Sequence, residues 1–133
     1  MALGFNDGSY MTNDWTTPQD YFNKLADTIA NWRWHSGPWG FRKVIVVVPP
    51  DTPSSLPEHD EIRLQAQLYC ALMTHFWNQE WLHCIDWGDI GYFDNTSDGV
   101  HPTQSFSREM AAHMYNEILN FAPEALGENN DEH

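Results

Sequence analysis

Residues 44–48 read Val-Ile-Val-Val-Val, an unbroken run of β-branched side chains. Branching at Cβ restricts χ1 and suits an extended, pleated backbone. The run does not alternate with polar residues, so neither face of such a strand is fitted to meet water. The pattern over Lys43–Val48 therefore predicts a strand buried on both faces, as in a parallel sheet covered by helices. Pro49-Pro50 stops it. A parallel neighbour can be reached only through a long crossover, usually helical.

The flanking segments supply those crossovers. From Pro18 to about Trp32, Tyr21, Phe22, Leu25, Ile29 and Trp32 recur at helical spacing, and Ser36-Gly37-Pro38 ends the element. Residues 51–57 read as a loop. Glu58 to Trp77 predicts a second helix with Ile62, Ala66, Tyr69, Met73 and Phe76 facing inward. Leu82–Ile85 predicts a short strand ended by Asp86-Trp87-Gly88. A loop then leads to a last helix over about Ser105–Phe121, with Phe106, Met110, His113 or Met114, and Ile118 on one side. Residues 1–4 look like the end of a further short strand, and Phe5–Ser9 like a turn. The order is that of a parallel α/β domain with right-handed crossovers. It spans residues 1–126, with a polar tail over 127–133.

Charge narrows the partners. The chain carries 6 basic and 19 acidic residues, a formal net charge of −13. With no basic stripe to neutralise phosphates, nucleic acid and anionic membrane surfaces are not expected partners. No signal peptide opens the chain and no window approaches 18 apolar residues, so a soluble protein, cytoplasmic by default, is expected. Cys70 and Cys84 fall in a helix and a strand, and no disulfide between them is expected. His75, His83 and Cys84 lack the paired spacing of a zinc site. Asp86, Asp89 and Asp94 lack the calcium-loop pattern and read as a solvated acidic loop. No metal or cofactor is expected. Trp32, Trp34 and Trp39 suit either core packing or an exposed interface patch.

Chemistry concentrates in two polar turns, each following a strand, where ligands of open α/β sheets bind. In Asp98-Gly99-Val100-His101-Pro102, an aspartate three residues before a histidine can fix the imidazole tautomer and leave its other nitrogen as a base. The same residues would also make an ordinary Asx-type turn before a helix. In Asn6-Asp7-Gly8, the asparagine amide can donate to a developing oxyanion, or simply form a turn.

Together these residues resemble the SGNH, or GDSL-type, hydrolase family. Gly4-Phe5-Asn6-Asp7 is similar to its G-x-N-D block, and Asp98–His101 to its D-x-x-H block. The resemblance runs from Leu3 to about Phe121. It implies a three-layer flavodoxin-like parallel sheet, here truncated to about three strands and completed by association. It implies an esterase acting on small esters or acylated sugars. His101 would be the general base, Asp98 its orienting partner and Asn6 an oxyanion donor, with Gly4 and Asp7 supporting. The family's G-D-S nucleophile block and second oxyanion block are not found. Gly88-Asp89-Ile90 has isoleucine where serine is needed, and Ser9, Ser36, Ser97 and Ser105 are out of frame. The nucleophile therefore stays unassigned, and hydrolysis is expected to be impaired or dependent on association. The expectations are a missing N-terminal fragment, a homo-oligomer (a dimer first), or a new nucleophile or water serving His101. The alternative is a non-catalytic binding or structural module derived from that fold.

Overall fold

The computed structural model describes residues 17–36 and 43–127. The expected strand over 1–4, with Gly4, Asn6 and Asp7, lies outside the described residues, as do Trp39 and the tail beyond Gly127. Helix α1 spans Pro18–Ser36. Its start is held reciprocally. The Asp20 N–H donates to Thr17 Oγ1 at 3.2 Å, and the Thr17 N–H donates to the Asp20 carboxylate at 3.3 Å. Strand β1 is Val44–Val48, helix α2 Pro57–Ala71, strand β2 Leu82–Asp86 and helix α3 Gln104–Phe121. Thr103 caps α3 by accepting from the Phe106 N–H at 3.2 Å.

β1 and β2 pair in parallel, with Val44 opposite Leu82 and Val48 opposite Asp86. The described part of the molecule is thus mixed α/β around a two-stranded parallel sheet. Each face carries its own core. Val44, Val46, Val48 and Leu82 pack with Tyr21, Leu25 and Ile29 of α1 and Ile62, Ala66 and Tyr69 of α2. Val47 and Ile85 pack with Trp87, Tyr92 and Phe106, and Met110 and Met114 of α3 close over them. This is why the valine run cannot alternate: consecutive side chains enter different cores, and both are dry. Met114 is the one that packs on the core, whereas His113 turns to Glu117 at 3.3 Å and meets the edge of Trp87.

Two expectations need correction. Phe76 does not join the inward stripe of α2, being 76% exposed. Residues Leu72–Phe76 form a π-helical turn, in which the Trp77 N–H donates to Leu72 O, five residues back, at 2.8 Å. One inserted residue rotates the succeeding side chains by about 100° relative to an α-helix, which carries Phe76 and Trp77 outward. Asn78, at φ +51°, then reverses the chain. The second correction concerns the cysteines. Cys70 and Cys84 form a disulfide, with Cα atoms 6.2 Å apart. The β1–α2–β2 crossover lays the end of α2 over β2, on the face that Cys84 shares with Leu82, and local sequence carries no signal of that meeting.

Candidate active site

Both strands end in one polar junction. The Arg63 guanidinium of α2 forks onto Asp86 at 2.8 and 2.7 Å and also donates to Pro49 O at 2.8 Å. Gln67 donates to the same carboxylate at 3.3 Å. Asp86 Oδ1 further accepts from the Gly88 N–H at 2.9 Å, which starts a short helical turn over Trp87–Ile90. Asp86 is therefore no member of a solvated acidic loop. It is a half-buried anchor joining the carboxyl ends of β1 and β2 to α2.

From that anchor the chain runs through a second turn, Tyr92–Asp94, to the segment carrying the expected dyad. Four hydrogen bonds hang this segment in place. The buried Tyr92 donates its hydroxyl to Val100 O at 2.9 Å. The Thr103 N–H donates to Asn95 O, and the Ser97 N–H to His101 O, each at 2.9 Å. The Ser54 N–H, from the loop after β1, donates to Gly99 O at 3.1 Å. Gly99 has φ +86°, and a Cβ there would collide with the Ser54 hydroxyl. The backbone angle favours glycine here, and a Cβ would in addition force the Ser54 hydroxyl to move.

The structure brings Asp98 and His101 together. One carboxylate oxygen accepts from the His101 N–H at 2.7 Å and the Val100 N–H at 2.9 Å. The other lies 2.7 Å from His101 Nδ1. The His101 backbone N–H, the His101 ring and the Val100 N–H together hold the Asp98 carboxyl far below the usual carboxylate range. Ionised Asp98 can only accept, so Nδ1 carries the hydrogen of the shared bond. Nε2 is then the basic nitrogen, on a side chain 75% exposed. This arrangement can take a proton from a hydroxyl or water and return it. The Asp98 charge, after burial, also pushes the Tyr92 phenol up.

Ser97 belongs to the turn itself, and the Ser105 hydroxyl sits 3.4 Å from that of Thr103 at the cap of α3. Arg63, Gln67, Tyr92 and Ser54 carry no sequence signal of their own. Each sits in ordinary helix or loop composition, and only packing makes it a support of the site. A second polar cluster lies elsewhere. Glu117 of α3 meets His83 of β2 at 2.6 Å and His113 at 3.3 Å, and the His83 ring stacks on Phe121. It ties α3 to the sheet.

Two clefts lie elsewhere among the described residues. A groove of about 570 Å³ between α1 and α2 is apolar, lined by Phe22, Met73, Trp77 and Trp81 among others. A cleft of about 410 Å³ is lined by the disulfide with Gln67, Thr74, His75 and Asp86. Asp98 and His101 line neither. Among the described residues no three His, Cys, Asp or Glu side chains converge to hold a metal ion. None of the described helices is long and apolar enough to cross a membrane. Comparison of the chain with protein-family models, curated protein sequences and solved structures finds no significant match.

Proposed function

We propose that the chain carries an SGNH-type ester-hydrolase site on a flavodoxin-like three-layer frame, with His101 as general base and Asp98 as the residue that orients it. The observation that supports this reading is the dyad itself. An ionised carboxylate, fixed by two backbone N–H groups, holds one imidazole nitrogen and leaves the other open to solvent. Small neutral esters or acylated sugars are the substrates that fit the acidic chain. Asn6 remains the oxyanion donor of this proposal, supported by its motif alone.

The proposed partner is a second copy of the chain. Leu64 is 61% exposed and Leu68 48% exposed on α2, and Phe76 and Trp77 after that helix are exposed as well, which supports an apolar contact. Light scattering on the purified protein tests it, and a monomer at all concentrations removes it. A binding module is the second reading, favoured by the apolar groove between α1 and α2.

Hydrolysis of a short-chain aryl ester, measured beside the His101→Ala variant, separates the two readings. An enzyme loses roughly 10³-fold or more in turnover with its melting curve unchanged. A binding module has no turnover to lose.

A further inference from the structure

An ester hydrolase built on Asp98 and His101 needs a hydroxyl or a water for the open Nε2 to activate. The serines differ in how they are engaged. The Ser55 hydroxyl is taken by the backbone N–H and the hydroxyl of Thr52, each at 3.0 Å. Ser97 is held within the dyad turn and Ser105 is at the cap of α3, while Ser107, also exposed and without a side-chain hydrogen bond among the described residues, lies on α3 and has no bond to the dyad turn. Ser54 is exposed, and its hydroxyl has no hydrogen-bond partner among the described residues. It lies in the loop beyond the carboxyl end of β1, where open α/β sheets bind ligands. Its backbone N–H is bonded to Gly99 O at 3.1 Å, and its hydroxyl rests against the space that a Gly99 side chain would fill. The fold thus presses one uncommitted hydroxyl onto the turn that carries the dyad, beside the residue that follows Asp98 and precedes Val100-His101.

We propose that Ser54 is the nucleophile that His101 activates, an inference that rests on the ester-hydrolase reading above. Ser54 Oγ forms a bond to the ester carbonyl carbon while its proton passes to His101 Nε2. The carbon–oxygen bond to the alcohol breaks, and the alcohol leaves with that proton. Water then attacks the acyl-Ser54 ester, giving a proton to His101. The acid departs and the proton returns to Ser54 Oγ. Asp98 stays ionised throughout, as orienter and counter-charge.

The test treats the full chain with a fluorophosphonate and, separately, with p-nitrophenyl acetate, beside Ser54→Ala, Ser107→Ala and His101→Ala. The adduct is located by peptide mass mapping. The expected result is one phosphonyl group on the peptide bearing Ser54, absent in Ser54→Ala and retained in Ser107→Ala. Turnover should fall roughly 10²- to 10³-fold in Ser54→Ala, with the far-UV circular dichroism spectrum kept. An adduct on any other residue overturns the proposal. So does turnover that survives in Ser54→Ala and is lost in His101→Ala, a result that leaves the ester-hydrolase reading standing with water as nucleophile. A wild-type chain with neither adduct nor turnover overturns both.

Discussion

Two of the acid–base pairs among the described residues have the same length and opposite settings. Arg63 and Asp86 meet at 2.7 Å with side chains 18% and 15% exposed, while Asp98 and His101 meet at 2.7 Å with side chains 54% and 75% exposed. The first is a two-pronged fork that also takes in Pro49 O, Gln67 and the Gly88 N–H, so the Asp86 carboxylate accepts four hydrogen bonds and is saturated. That carboxylate has no acceptor position left to offer a substrate. The second commits the carboxylate to the turn and to one ring nitrogen, and leaves Nε2 open. Contact distance alone therefore says little about role. What separates the two pairs is how much of the hydrogen-bonding capacity of each the protein itself consumes.

The largest way to break the comparison on the stability side is to remove one half of the anchor. Arg63→Ala leaves the Asp86 carboxylate half-buried without its cation, and the expected cost is about 3 kcal/mol in a urea melt. A change under about 0.5 kcal/mol would place this pair in the class of surface ion pairs. His101→Ala, at the exposed pair, should leave the same melt unchanged.

Next comes the covalent staple on the anchor's side of the sheet. Cys70 and Cys84 are 14 residues apart. Cys84→Ser should lower stability by about 3 kcal/mol, the loop-closure value for that span. Dithiothreitol should destabilise the wild type to the same midpoint and leave the variant unaffected.

A smaller effect is expected where the dyad turn meets the loop after β1. Gly99→Ala forces a side chain to φ +86° and against Ser54. The expected cost is about 1–3 kcal/mol. It should come with a loss of turnover beyond what the melt explains, because the turn that sets His101 must move. Equal turnover would separate Ser54 and its loop from the chemistry.

The least perturbing test is pH. The folded-state pKa of Asp98 lies below its ordinary value of 3.8. Its contribution to stability is therefore complete above that value and is lost only as pH falls further, toward the folded pKa. The Asp98 side-chain carboxyl carbon signal in NMR should stay flat from neutrality down through about pH 4, where ordinary carboxylates titrate. Titration near the ordinary value would show that the two backbone N–H bonds do not hold Asp98 in solution.

Much of the frame is legible in the residue pattern. The valine run, the helical stripe of Tyr21, Leu25 and Ile29, and the stop at Pro49-Pro50 are local signals, and each forms the element its pattern predicts. The dyad is legible for the same reason, since Asp98 and His101 sit three residues apart in one turn that closes on itself. Phe76 departs from its pattern because the α-helical period does not continue through the π turn.

What the sequence by itself determined is whatever a short window of backbone and side chains can satisfy alone: the helices, the buried strands, and the internal bonds of the dyad turn. Tertiary structure alone decided which distant groups met. The Cys70–Cys84 bond spans 14 residues, the Arg63–Asp86 fork 23, and Ser54 and Gly99 come from loops after different strands. A pairwise meeting across the fold depends on crossover geometry and helix placement, to which the residues between contribute only in sum. The secondary structure and the Asp98–His101 pair are therefore written in the chain. The anchor, the staple and the contact between Ser54 and Gly99 exist only in the folded molecule.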